Sequence, residues 1–398
     1  MRRRSSALGG LAGLAAVVVL AACSEDGERS ATPSTAPVGP VSTAVATAAN
    51  ASDRSWQKLV DEFAAESPGV PGVALAVVAP GIDVAVAAGT GAPEPERPLT
   101  PDQPFRVASN TKTFTAAATL RLVEQGAIGL DDPIAGLIDS ALAGLLDGDG
   151  YDTGAITVRQ LLLHTSGIYD YASDVDYQTV VLGDITQRWE RIDQVRFAVD
   201  RGDPLGEPGG QFASSDTGYV LLGDLIERAT GDSLAAAYRE LLRFDDLGLD
   251  ETWLETAEPV PDGVADRAHQ YYEDLDTYDA DPSFDLYGGG GLVSTVDDLA
   301  AFYRALLSGE VFQDPATLEA MTTVPQAGAE AGAAMGLFRF DDPELGPCWS
   351  HSGFWGSVVI SCPEHDVTMA LSVFQASPDP PFEGDALLRR VVELATAG

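Results

Sequence analysis

Phe105-Arg106-Val107-Ala108-Ser109-Asn110-Thr111-Lys112-Thr113-Phe114-Thr115-Ala116-Ala117-Ala118-Thr119-Leu120 is the stretch that organises the rest of the chain. Residues 105–108 read as a short extended segment. They run directly into an apolar helix, 111–125, which Gly126 ends. Ser109 sits in the first turn and Lys112 follows three residues later, so the two share a helix face. A helix as free of charge as 113–120 is expected to be buried, and its lysine with it. A desolvated lysine holds its proton less firmly and can serve as base for a hydroxyl, which is otherwise a poor nucleophile. The helix N-terminus adds backbone N–H groups close to a developing oxyanion.

Spacing alone does not carry this reading. Ser55 stands three residues before Lys58, the only other lysine. That pair opens an amphipathic helix, 55–66, with Trp56, Leu59, Val60, Phe63 and Ala64 at helical spacing. For Ser109 and Lys112 the bland alternative is an N-cap serine with a snorkelling lysine.

Outward from this stretch, 73–78 and 82–86, split by Ala79-Pro80-Gly81, predict a β-hairpin. The middle, about 115–290, reads as mostly helical, with helices at 156–164 and 217–230. A further helix, 296–307, follows the Gly288–Gly291 run. Strands return at 336–340, 348–353, 357–362 and 367–374, and a helix closes the chain at 386–397. Strands at both ends around a helical insert predict an α+β fold. One antiparallel sheet is built from both termini and flanked by helices, with an all-helical lobe inserted.

The chain has 398 residues, 45% of them apolar, enough for one catalytic unit with two lobes. Its formal charge of -38, from 61 acidic against 23 basic residues, repels phosphates and anionic lipid heads and argues against nucleic acid or an electrostatic membrane partner. Such acidity suits a salty exterior, where screening weakens self-repulsion. Arg2 to Arg4 precede a short apolar run, 8–22, of signal-peptide type. Leu20-Ala21-Ala22-Cys23 resembles the bacterial lipoprotein cleavage box, which implies cleavage before Cys23 and lipidation of its thiol. The expected organisation is therefore a signal peptide (1–22), a flexible Ala/Ser/Thr/Pro stalk (23–51) and one catalytic domain (52–398). The product would be exported and lipid-anchored to the outer face of the bacterial cell membrane. Two cysteines remain, Cys348 and Cys362, and an exported pair suggests a disulfide. If a hairpin turn centres on Trp355, each lies seven residues away and they oppose each other across two antiparallel strands. Two buried thiols are the alternative.

Two later elements complete the pattern: Phe212-Ala213-Ser214-Ser215-Asp216-Thr217-Gly218-Tyr219 and Trp349-Ser350-His351-Ser352-Gly353-Phe354-Trp355-Gly356. S-x-x-K, then a Tyr/Ser-x-Asn/Asp element about a hundred residues on, then a [Lys/His]-[Thr/Ser]-Gly strand is the motif order of the serine penicillin-recognising enzymes. From about 55 to 395 the chain resembles the family of class C β-lactamases and D-alanyl-D-alanine carboxypeptidases. Leu161-Leu-Leu-His-Thr-Ser-Gly167, Tyr219-Val-Leu-Leu-Gly223 and Gly290-Gly-Leu-Val-Ser-Thr295 strengthen the likeness. The resemblance implies a β-lactamase/transpeptidase-like fold. It implies that Ser109 is acylated, that Lys112 takes or shuttles its proton, and that the backbone N–H groups of Ser109 and Phe354 hold the oxyanion. His351 and Ser352, with Gly353 and Phe354, would line an edge strand that binds substrate backbone and carboxylate. Histidine rather than lysine at 351 fits carboxypeptidase-like and esterase-like members.

Ser214 stands where the family usually has tyrosine, and Asp216 where it has asparagine. Three readings are open: Ser214 relays a proton for Lys112; Tyr169, Tyr171 or Tyr219 takes the tyrosine's role; or the chain is slow or inactive. Asp216 adds negative charge that holds Lys112 protonated unless other groups compensate. No G-x-S-x-G occurs, and none of the four histidines (His164, His269, His351, His365) has metal-ligand spacing, so neither metal nor cofactor is expected. The Gly288–Gly291 run lacks a following Gly-Lys-Ser/Thr and reads as a loop. His164 reads as a structural helix end. Tyr271, Tyr272 and Tyr278 lie in an acidic loop, at the cleft or merely on the surface. The expected activity is a serine hydrolase of D-Ala-D-Ala carboxypeptidase or β-lactamase-related type, acting on a cell-wall peptide, β-lactam or ester. The alternatives are a carboxylic-ester hydrolase on the same scaffold and a catalytically weak relative that binds cell-wall peptide.

Overall fold

The computed structural model describes residues 51–342, 345–378 and 384–396. The expected signal segment, Cys23 and the expected stalk up to residue 50 lie outside the described residues. The chain opens with helix α1 (Ala51–Glu66) and the strands β1 (Gly72–Ala79), β2 (Ile82–Pro93) and β3 (Glu96–Pro98). It closes with β4 (Phe338–Asp342), β5 (Gly346–Gly353), β6 (Ser357–Cys362) and β7 (Val367–Ser372), then a helix, Gly384–Thr396. These strands form one antiparallel sheet in the order β3-β2-β1-β7-β6-β5-β4. Both ends of the chain meet at its centre, where Ala74 faces Ser372 and Val78 faces Thr368. The α+β architecture expected from the strand pattern is the one found, with the predicted hairpin turning at Pro80-Gly81.

The alternation of β1 sorts the sheet faces. Val73, Leu75 and Val77 point to a cluster with Trp56, Leu59 and Phe63 of α1 and Leu387 and Val391 of the closing helix. Ala74 and Ala76 point the other way, where small side chains let a helix, Val296–Leu307, pack closely. Between this face and the helical layer runs α2 (Thr111–Glu124), buried from Thr111 to Leu122. Its threonines keep so deep a helix satisfied. Thr113 Oγ1 reaches Tyr303 OH at 2.6 Å and the Gly336 carbonyl at 2.7 Å, and Thr115 Oγ1 reaches Tyr238 OH and the Gly288 carbonyl, both at 2.6 Å. Helices between Ser140 and Leu247 make up the lobe beyond α2.

Several boundaries differ from expectation for local reasons. The helix expected at 156–164 is Val158–Leu162, because Thr157 caps it with Gln160 in a capping box and His164 adopts φ +55°. The strand expected at 336–340 begins at Phe338, since Gly336 sits in a turn at φ +69°. The strand bearing His351 is an edge only at its end. β4 covers it as far as Ser350, opposite Phe338, and leaves His351 to Gly353 open on that side.

Candidate active site

Ala108 adopts φ +46°, a left-handed conformation that costs an alanine about 1–2 kcal/mol. The turn it makes ends the extended Phe105–Arg106 segment and aims Ser109 from a 3-10 turn, Ala108–Asn110, that leads into α2. β5 packs directly against this turn. A Cβ on Gly353 would fall 2.1 Å from the Val107 carbonyl oxygen, so only glycine allows the approach. The Asn110 amide, turned so that both ends are paired, donates to the His351 carbonyl at 3.0 Å and accepts from the Gly353 N–H at 3.3 Å and Ser357 Oγ at 2.9 Å. Asn110 thus ties the serine turn to the strand opposite it. Nothing in its sequence neighbourhood marks it for this task.

Lys112 Nζ donates to Ser109 Oγ at 2.7 Å, to Asp216 Oδ2 at 2.9 Å and to the Gly289 carbonyl at 2.8 Å. The lysine side chain is 3% exposed. Three N–H donors meet three acceptors, the count for an ammonium. Asp216 is therefore the ion-pair partner of Lys112, and the Gly288–Gly291 loop, which carried no role in the sequence, supplies its third acceptor. Asp216 heads the helix α3 (Asp216–Thr230), and the Ser215 hydroxyl caps that helix by accepting from the Gly218 N–H.

Ser214 is exposed and its hydroxyl has no hydrogen bond among the described residues. It makes no hydrogen bond with Lys112, whose three N–H groups go to Ser109, Asp216 and the Gly289 carbonyl. The three tyrosine alternatives fare no better. Tyr169 OH donates to Asp174 Oδ2 and Tyr219 OH to the Leu162 carbonyl, both at 2.9 Å. Tyr171 OH is buried without a partner among the described residues. Tyr219 does lie beside the site, but through its ring, 5.9 Å below the Lys112 ammonium.

His164 does more than end a helix. Its Nδ1 accepts the Ser215 N–H at 3.0 Å, its carbonyl accepts the Ala213 N–H at 2.8 Å, and its ring stacks on Tyr219 at 4.8 Å. It holds both sides of Ser214 in place. Burial, and then the Lys112 charge, push His164 down to about 3. His351 is likewise pushed down to about 3 by burial and then by Lys112. Its Nδ1–H donates to the Ser352 carbonyl at 2.9 Å, which leaves Nε2 buried, unpartnered and an acceptor only. Carboxyls crowd the other side. Asp170, which accepts the Asp216 N–H at 2.9 Å, is pushed up to about 6 by burial and the Asp216 charge. Asp285 is pushed up to about 7, mainly by burial.

Phe354 follows the His-Ser-Gly tripeptide, 43% exposed, stacked on Tyr272 at 5.9 Å and edge-on to Trp355. Its N–H makes no hydrogen bond among the described residues, as an oxyanion donor requires. Tyr272 therefore borders the site, whereas Tyr278 stacks on His269. Cys348 and Cys362 are bonded, Cα to Cα 4.3 Å, directly opposed across β5 and β6. Among the described residues there is no group of side chains fit to hold a metal ion, and no helix long and apolar enough to cross a membrane.

Comparison with known proteins agrees with this geometry. The β-lactamase family model matches residues 56–394. Esterase EstB of Burkholderia gladioli is 28% identical over 308 residues, covering 67% of this chain and 74% of that protein. Penicillin-binding protein 4 of Amycolatopsis lactamdurans is 32% identical over 202 residues, covering 50% of this chain and 48% of its own. Among solved structures, a D-stereospecific amidohydrolase from Streptomyces sp. superposes with TM-score 0.71 at 28% identity, covering 85% of this chain and 97% of that one. The chain spans only about half the length of some of the curated relatives, 57% and 48% for two of them.

Proposed function

This chain belongs to the β-lactamase family, and from that premise we propose that it is a serine hydrolase working through an acyl-enzyme on Ser109. The observation that carries the proposal is the 2.7 Å contact between Lys112 Nζ and Ser109 Oγ inside a buried site. To act as base, Lys112 passes one ammonium proton to Asp216, 2.9 Å away. Ser109 Oγ then bonds to the acyl carbon and its proton moves to Nζ. The carbonyl oxygen becomes an oxyanion between the N–H groups of Ser109 and Phe354. Collapse breaks the bond to the leaving amine or alkoxide, which takes the proton back from Nζ. Ser214, unpaired at the rim, is available to hydrogen-bond that leaving group. Water repeats the sequence on the acyl-enzyme and frees Ser109.

The substrate is a small acyl compound: a peptide or amide, a β-lactam, or an ester. Relatives named as penicillin-binding protein, esterase and amidohydrolase support that range. Intact-mass spectrometry after exposure to a penicillin and to an activated ester should give an adduct that maps to Ser109. Absence of any adduct, or an adduct that survives Ser109→Ala, refutes the proposal. A second reading, a catalytically weak peptide-binding relative, is favoured by one feature: among the described residues no tyrosine hydroxyl hydrogen-bonds Lys112, whose partners are Ser109, Asp216 and the Gly289 carbonyl. Steady turnover above the Ser109→Ala background excludes it. We also propose export and lipid anchoring through Cys23, on the motif at residues 20–23. Labelled fatty acid should be incorporated into the wild type and lost in Cys23→Ser.

A further inference from the structure

The loop of residues 169–173 grips the start of α3 at three points. Asp170 Oδ1 accepts the Asp216 N–H at 2.9 Å, Thr217 Oγ1 donates to the Tyr169 carbonyl at 2.7 Å, and the Tyr171 N–H donates to Thr217 Oγ1 at 3.3 Å. Asp170 also turns its own loop: Oδ1 accepts the Ala172 N–H at 3.2 Å and Oδ2 the Ser173 N–H at 3.1 Å. The residue is 8% exposed, and no cation pairs with it among the described residues. Each of these Asp170 contacts is an amide donating to a side-chain oxygen, a task that asparagine performs for the most part without charge. A carboxylate sets a second negative charge beside Asp216, in a buried place where like charges oppose one another. Clamping accounts for the contacts and leaves that charge without a task.

On the reading that Lys112 yields a proton to Asp216 when Ser109 attacks, we infer that Asp170 is a positioning residue for that transfer. It fixes Asp216 at the head of α3, and its charge favours the arrival of the proton there. The proton leaves Nζ for Asp216 Oδ2, Ser109 Oγ bonds to the acyl carbon and its own proton moves to Nζ. Asp170 keeps its charge throughout. The same charge also holds the proton on Lys112, so the two effects compete. Asp216 weighs more on Asp170 than Lys112 does, and the interaction is mutual, so the transfer gains. Burial, and then the Asp216 charge, push Asp170 up to about 6, so its charge is present above that pH and lost below it. The titratable groups that face it are Asp216 and Lys112, Tyr169 and Tyr171 on its own loop, and Tyr177 of the helix Val175–Gly183. All three phenols are pushed up, first by burial, and stay neutral in this range.

The test is the burst of p-nitrophenyl butyrate, an uncharged substrate, mapped to Ser109 and followed from pH 5 to pH 8.5. In the wild type the acylation rate should rise through about pH 6 to a plateau. Asp170→Asn keeps an oxygen for the Asp216 and Ala172 amides and loses only the Ser173 contact. It should act at every pH as the wild type does below pH 6: a plateau lowered at least about tenfold, with no limb near 6. Asp170→Glu restores the charge and should restore the limb. Asp285, pushed up to about 7, titrates nearby, so the variant makes the assignment. A limb that persists in Asp170→Asn, or a plateau equal to wild type, overturns the inference and leaves the acyl-enzyme reading standing. If Asp170→Asn folds poorly, the wild type still decides, because a rate flat from pH 5 to pH 7 overturns the inference by itself. No burst at any pH overturns the acyl-enzyme reading and the inference with it.

Discussion

Replacing Gly353 by alanine adds one methyl group where the structure has no space. The new carbon would lie 2.1 Å from the Val107 carbonyl oxygen and 2.5 Å from Ser357 Oγ, more than 1 Å inside ordinary contact with the backbone atom. Neither neighbour yields easily, because Val107 enters the strained turn at Ala108 and Ser357 is the first residue of β6. Strand and turn must separate by roughly 1 Å. Overpacking of this kind costs about 1–3 kcal/mol. Separation also stretches the two Asn110 contacts to the His351 carbonyl and the Gly353 N–H, worth about 1 kcal/mol each. The expected loss of stability is therefore about 3–5 kcal/mol. Catalysis should suffer more, because the Phe354 N–H shifts relative to Ser109, and a 1 Å misplacement costs about a hundredfold in rate. The assay is the acylation rate by stopped flow with an activated ester, beside a thermal unfolding scan. Gly144→Ala, in the helix Ser140–Gly148 with nothing within 4 Å of the added carbon, is the control and should be neutral or stabilising. Gly353→Ala with an unaltered unfolding midpoint and an acylation rate near wild type would refute the reasoning.

Three further outcomes follow from other contacts. Lys112→Met should abolish acylation and destabilise the fold by about 3–5 kcal/mol, because the Asp216 carboxyl loses its ion pair. Adding Asp216→Asn should recover part of the melting temperature without recovering acylation, and a double variant no more stable than Lys112→Met alone contradicts the pairing. Reduction of Cys348–Cys362, separated by 14 residues, should lower stability by about 3 kcal/mol, and a melting curve indifferent to reductant counts against it. His164 is held neutral down to about 3, whereas the unfolded chain takes up that proton near 6.5. Between those values the unfolded state binds more protons, so this histidine's contribution is present above pH 6.5 and is lost as pH falls, by about 1.4 kcal/mol per unit. His164→Gln should flatten the acid side of a urea-midpoint profile; parallel slopes for the two proteins sink the prediction.

The expectations that held were those set by neighbours along the chain. A helix without charge has to be buried, so Lys112 followed Thr113 to Leu120 inside. A turn centred on Trp355 opposes residues at equal distances, so Cys348 met Cys362. Two apolar runs split by Ala79-Pro80-Gly81 predict a hairpin, and β1 and β2 form it. The site was less legible. Of its tyrosine alternatives, Tyr169 OH serves Asp174, Tyr219 OH serves the Leu162 carbonyl, and Tyr171 OH has no partner among the described residues. His164 read as a helix end because its partners, the Ala213 and Ser215 amides, lie about fifty residues on.

The sequence by itself determined which residues are brought inside, because burial follows from periodicity and from a lack of charge over one or two turns of chain. It thereby determined the sheet shared by both termini, the opposed cysteines and the serine and lysine on one helix face. Only the tertiary structure decided what that lysine touches. Asp216 lies 104 positions beyond it and the Gly289 carbonyl 177 beyond, and Asn110 reaches 247 positions to Ser357. A hydrogen bond depends on tenths of an ångström, and such distances are set by the packing of a sheet, a lobe and a strained turn against one another, which no local pattern encodes.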